Sequence, residues 1–124
     1  MSAGKLDFTI EQGTTFQRKI TLTDELDVPI DLTGRTFRGQ IKKVAGHGVA
    51  LATFSFSLLN QLTNPGELYF SLTDVQTAAI PAAKQTAATK ETVQYAYDIE
   101  MIYPTGNVER LLEGVVTISP EVTT

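Results

Sequence analysis

An all-β fold class is predicted by three features of this sequence. Apolar residues alternate with polar ones through most of the chain, the period of half-buried strands. The alternating runs are short and are separated by turn signals rich in Gly, Pro, Asn and Asp. The C-terminal quarter contains two long runs, residues 93–103 and 108–118, joined by Pro104-Thr105-Gly106-Asn107. Pro presets φ at the front of that turn, and Gly and Asn tolerate positive φ, so the four residues can reverse the chain into a hairpin. At 124 residues the chain is expected to be one domain, residues 1–124, with a flexible N-terminus at 1–5. That length can bury a core without metals or disulfides.

From the N-terminus, Leu6, Phe8 and Ile10 alternate with Asp7 and Thr9 and predict a strand at 6–10. A second run places Phe16, Ile20 and Leu22 on one face together with Arg18, whose stem fits there only if its guanidinium reaches an edge or a partner. The acidic turn at 24–27 and the turn Asp31-Leu32-Thr33-Gly34 flank an extended piece at 28–30. A third strand, 35–43, turns Phe37, Gly39 and Ile41 one way and Arg38, Gln40 and Lys42 the other, leaving one wet face. The stretch 44–50, with Gly46-His47-Gly48, reads as a mobile hairpin tip. A strand at 51–58 then directs Ala52, Phe54, Phe56 and Leu58 inward.

Asn64-Pro65-Gly66 is a strong turn signal, and the strand behind it gives Leu68, Phe70 and Leu72 to the core. The period changes next. Thr73 and Gln76 have capping-box spacing and Asp74 meets the helix dipole, so a short helix is expected at 74–80, with Val75, Ala78 and Ala79 as its apolar stripe and Pro81 closing it. Residues 82–92 are small and polar and read as a long surface loop, although their Ala content also permits a helical extension. In the final hairpin Tyr95, Tyr97, Ile99 and Met101 share one face, and Gln94, Asp98 and Glu100 mark the other. Its last strand sets Val108, Leu112, Val116 and Ile118 on one face, interrupted by Arg110 and Gly114, and Leu111 and Val115 on the opposite face. Seven or so such strands predict an antiparallel β-sandwich of immunoglobulin-like layout with one short helix.

Little in the chain is arranged for chemistry. Cysteine is absent, which removes disulfides, thiolate catalysis and thiolate metal sites. The only histidine, His47, sits between two glycines where an imidazole is poorly held. Asp24, Glu25, Asp27 and Asp31 match no Ca²⁺-loop spacing and read as solvated turns. Asp98 and Glu100, two apart on one strand face, could in principle act as paired carboxylates, but pairing with Arg110 or Arg38 across strands accounts for them. A formal charge of −4 offers no basic field for nucleic acid. No signal peptide or apolar span is present in the sequence, and no phosphate loop or nucleophile motif is found. No catalytic residue, metal, cofactor or small-molecule substrate is therefore expected.

Three groups of segments carry a resemblance. They are 8–16 (Phe-Thr-Ile-Glu-Gln-Gly-Thr-Thr-Phe), 29–37 (Pro-Ile-Asp-Leu-Thr-Gly-Arg-Thr-Phe), and at the end Tyr97-Asp98-Ile99-Glu100, Arg110-Leu111-Leu112-Glu113-Gly114 and Ile118-Ser119-Pro120-Glu121-Val122-Thr123. In this order they resemble a group of small virion-associated proteins of tailed bacteriophages and prophages, and are similar to the N-terminal domain of phage baseplate upper proteins. The resemblance spans about residues 8–123. It implies an immunoglobulin-like sandwich attached to the virion, made in the bacterial cytoplasm, with no enzymatic activity. Ending at Thr124, the chain is expected to carry no receptor-binding or fibre-holding extension. An adaptor subunit in the tail, baseplate or neck is the leading expectation, contacting other virion proteins in a symmetric multi-copy assembly, with no nucleic acid or membrane partner. The alternatives are a capsid decoration protein and a carbohydrate-binding module that aids adsorption.

Candidate partner contacts follow from exposure and patterning. Leu111 and Val115 are the preferred buried contact, because apolar groups on both faces of the last strand suggest that it is covered twice. Tyr69 and Tyr103 are the tyrosines placed outside the core. Lys84 and Lys90 belong to the 82–92 loop, expected to make a second contact.

Overall fold

The alternating runs fold as strands in the computed structural model, which describes residues 4–43, 50–81 and 93–120. In chain order these are β1 (Gly4–Lys5), β2 (Phe8–Glu11), β3 (Phe16–Thr21), β4 (Thr36–Lys42), β5 (Ala52–Thr53), β6 (Ser55–Leu58), β7 (Glu67–Leu72), the helix α1 (Asp74–Ala79), β8 (Val93–Ile102) and β9 (Val108–Ser119). The large sheet runs β9-β8-β4-β5, with β1 and β2 both laid parallel to β9 at its other edge; the small sheet runs β3-β7-β6. Every other pairing is antiparallel. The fold is thus mostly β, two sheets and a short helix, and resembles a sandwich.

Aromatic rings from both sheets fill the space between them. Phe8 of β2 lies 5.0 Å from Phe16 of β3 and 4.7 Å from Tyr97 of β8, while Phe54 meets Phe70 of β7 edge-on at 5.3 Å. Ile10, Ile41, Leu68, Ile99 and Ile118 close the core around them, all essentially inaccessible. Arg18 keeps its place on the inner face of β3 by laying its guanidinium over the Phe8 and Phe16 rings, at 5.7 and 5.9 Å, where a cation is attracted to the π face.

Four expectations are corrected. The strand expected at 6–10 is broken at Leu6 and Asp7. There the Leu6 N–H still donates to the Glu113 carbonyl at 3.2 Å, and side chains supply the other bonds: the Tyr97 hydroxyl donates to the Leu6 carbonyl and the Asp7 carboxylate accepts the Val115 N–H at 2.9 Å. Gly114 permits this approach, since a Cβ there would collide with the Leu6 carbonyl oxygen. The strand expected at 51–58 serves both sheets, β5 pairing with β4 and β6 with β7, and the chain changes sheets at buried Phe54. Leu58, expected inward, is 38% exposed.

The helix has its expected capping box, with the Thr73 side chain accepting from the Gln76 N–H and the Gln76 side chain accepting from the Thr73 N–H. Its expected apolar stripe is not the buried face. Val75 is 74% exposed and Ala78 and Ala79 are exposed, whereas Thr77 and Ile80 are buried. Polar anchoring decides the orientation: the Thr77 hydroxyl donates to Thr14 O at 2.7 Å and accepts from Gly13 N at 3.1 Å, and the Gln12 amide donates to Ile80 O at 2.9 Å. So short a helix has too little apolar area to override such bonds.

The last correction concerns β9. A register shift opposite Ile99 and Glu100 pairs Ile99 with Leu112 but Glu100 with Arg110, leaving Leu111 as the extra residue. A bulge of this kind reverses the inward and outward alternation beyond it. Leu111 therefore turns into the core, Arg110 turns out beside Glu100, and Val108 is 46% exposed.

Candidate functional site

Because side chains alternate across each strand, the residues left outside the core on β4, β8 and β9 make one continuous outer face on the large sheet. It is concave, an open groove of about 960 Å³, and its long sides are strands rather than loops. The charges lie in columns. Arg38 and Lys42 stand on β4 with Gln40 between them, and Asp98 and Glu100 stand on the neighbouring β8. Beyond them β9 presents Arg110 and Glu113, and the N-terminal segment brings Lys5 and Asp7 to the far rim. The lining thus holds four groups of each sign.

Cross-strand register decides which charges meet. Arg38 is directly opposite Glu100, and its Nε lies 2.7 Å from the Glu100 carboxylate. Asp98 is directly opposite Glu113, an unfavourable like-charge pairing. Arg110 alone serves both carboxylates, at 3.8 Å from Asp98 and 3.5 Å from Glu113. Lys42 makes no ion pair with any described residue. Burial pushes the Asp98 carboxyl above its ordinary range, Glu100 and Glu113 add to the push, and Arg110 and Lys42 oppose it. Beneath the groove Tyr97 is pushed up to about 12, first by burial and then by the nearby Asp7 charge.

The sequence-derived contact residues are dispersed by the fold. Val115, 37% exposed, lines the groove, but Leu111 does not share its face: the bulge buries it at 9% exposure. The exposed apolar residues of β9 are accordingly Val108 and Val115, separated along the strand by Arg110 and Glu113, rather than a Leu111–Val115 strip. Tyr69 stands on the small sheet, opposite Lys19 and Ser57 in register. Tyr103 lies in the β8–β9 hairpin, its ring 4.7 Å from the Arg35 guanidinium and its hydroxyl donating to Glu109. The two tyrosines belong to different sheets and form no joint platform. Lys84 and Lys90, the rest of the 82–92 loop, and His47 with residues 44–49 lie outside the described residues.

Pairing of Asp98 with Arg110 and Glu100 with Arg38 is found as the sequence suggested. Glu113, Asp7 and Lys5 were missed as members of the same surface. Alternation on β4 and β8 was visible, but only the bulge and the parallel N-terminal strand bring the third and fourth columns beside them. The motifs behind the resemblance have structural roles. Gln12 and Gly13 tie the β2–β3 turn to α1; Asp31 accepts from the Thr33 N–H and hydroxyl at 2.9 and 2.7 Å; Leu32 is fully buried and Gly34 has φ +80°. In the acidic turn the Asp24 carboxylate is occupied by the Leu26 and Val28 N–H groups. No group of three or more His, Cys, Asp or Glu among the described residues is placed to hold a metal ion, and no described helix is long and apolar enough to cross a membrane. No family model matches this chain, and neither does any curated protein.

Proposed function

We propose that this protein is a non-enzymatic structural subunit of a tailed-phage particle, an adaptor in the tail, baseplate or neck that works by protein–protein contact. The observation that carries the contact reading is the outer face of the large sheet, where the carboxylates of Asp98 and Glu100 are engaged by Arg110 and Arg38 in a broad strand-built groove. Such a surface offers shape and charge to a macromolecule rather than a secluded pocket for a small substrate. The phage assignment rests on the ordered segments from Phe8 to Thr123 that resemble virion-associated proteins.

We further read the layout as immunoglobulin-like. Taking β3, β4, β6, β7, β8 and β9 as strands B, C, D, E, F and G gives the orders B-E-D and G-F-C, with β5 beside β4 as an added edge strand. Tyr95, near the start of β8, donates its hydroxyl back to the Pro81 carbonyl at 2.6 Å, in the manner of the tyrosine corner of that fold.

The test is compositional. Particles purified from cells producing the chain should contain it in a fixed copy number by quantitative mass spectrometry, and particles lacking its gene should assemble defectively. Complete, infectious particles without the protein would refute the assignment.

A further inference from the structure

We propose that the outer face of the large sheet is where two copies of this chain meet, face to face about a two-fold axis, with the basic β4 column of one copy lying on the Asp98–Glu113 pair across β8 and β9 of the other. The inference rests on reading this face as a contact surface, not on the phage assignment.

Charge layout argues for a second copy over other occupants. The whole chain carries a formal charge of −4, so copies repel one another on average. The groove lining is the exception, with four positive and four negative groups. Two neighbouring strands sort them, positive on β4 (Arg38, Lys42) and negative on β8 (Asp98, Glu100), while β9 and the N-terminal segment each carry one of either sign. A two-fold operation applies the same patch to itself, so a patch with separated columns of opposite sign complements its own copy. A nucleic acid or a uniformly basic protein would instead favour a lining of one sign.

Internal pairing leaves the right groups over. Arg38 and Glu100 satisfy each other at 2.7 Å. Asp98 and Glu113, forced opposite one another, share Arg110 at 3.5 to 3.8 Å, and Lys42, whose charge acts on Asp98 within the chain, makes no ion pair with a described residue. Burial already raises the Asp98 carboxyl, a cost that an approaching cation offsets. A Lys42 ammonium from the second copy, set between Asp98 and Glu113, supplies that cation, and the two-fold repeats the contact. The lining also includes the small or short residues Ala96, Gly114 and Val115, which leave room for the long side chain.

Charge exchange tests the proposal. Sedimentation equilibrium of the purified full chain at low salt should show a reversible dimer that dissociates as salt is added. Lys42→Glu and Asp98→Lys should each weaken self-association by roughly tenfold or more, because each places like charges together twice per dimer. An equimolar mixture of the two variants should recover a dimer containing one of each. In that mixed dimer the two reversed charges face each other at one contact, and the native Asp98 and Lys42 face each other at the other. Circular dichroism and thermal melting of each variant check that it folds; if either does not, Lys42→Gln and Asp98→Asn, which remove charge without reversing it, should still weaken the dimer. A monomeric wild-type chain at the highest soluble concentration overturns the proposal, as does a dimer indifferent to these substitutions or binding of a different protein to the face of a monomeric chain. Detection of the chain in particles despite a monomeric state would refute the homotypic contact and leave the particle assignment standing.

Discussion

Gln61 holds two loops together with one side chain. Its carbonyl oxygen accepts the Leu32 N–H at 3.1 Å and the Gly66 N–H at 2.9 Å, and its amide donates to the Leu59 and Glu67 carbonyls. Truncation strands several backbone groups at once, so Gln61→Ala should lower unfolding free energy by about 2 kcal/mol or more in urea titrations. Nothing in sequence marks this residue, because its partners are all backbone groups, and the one outside its own loop, Leu32, is brought to it only by the fold. Tyr97 makes a second residue-scale test. Its hydroxyl binds a proton more tightly in the folded chain, up to about 12, than in the unfolded chain near its ordinary value of 10. Between those limits the unfolded state holds fewer protons, so this stabilising contribution is complete below about pH 10 and declines, by up to about 1.4 kcal/mol per pH unit, as pH rises toward 12. Tyr97→Phe should be less stable than wild type at neutral pH through loss of the bond to Leu6, and the difference should shrink across that alkaline range in denaturation midpoints.

At the scale of elements, local signals were legible and long-range ones were not. The Thr73–Gln76 capping box, the Asn64-Pro65-Gly66 turn and the inward row Leu68, Phe70 and Leu72 all depend on residues within a few positions and stand as read. Thr73→Ala should cost about 1 kcal/mol and Thr73→Ser much less, as measured by thermal melts, because the hydroxyl rather than the residue's bulk caps the helix. The exposed Val75 and the buried Thr77 were not legible, since bonds from Gly13 and to Thr14 orient the helix from more than sixty residues away. β9 failed for a related reason. Alternation read from sequence assumes an uninterrupted period of two, and one bulge residue reverses the faces of Leu111 and Arg110. The groove's charge columns inherit that reversal, so the candidate surface was only half visible before the register was known.

For the whole molecule, the segments that resemble virion-associated proteins divide between two tasks. Gln12-Gly13 and Asp31-Leu32-Thr33-Gly34 hold turns, whereas Asp98, Glu100, Arg110 and Glu113 face outward on the large sheet. Resemblance in the first set speaks to fold and in the second to contact, and fold alone does not assign function. We propose that the two sets serve one claim: a small two-sheet subunit carried in a particle, with the outer face of its large sheet covered. Cryo-electron microscopy of particles purified from cells producing the chain tests that claim most directly. We expect symmetric density for the domain in the tail, baseplate or neck, with Lys42, Asp98 and Glu113 buried against a neighbouring copy. Particles fully resolved in tail and neck without this domain, or containing it with that face open to solvent, would contradict it.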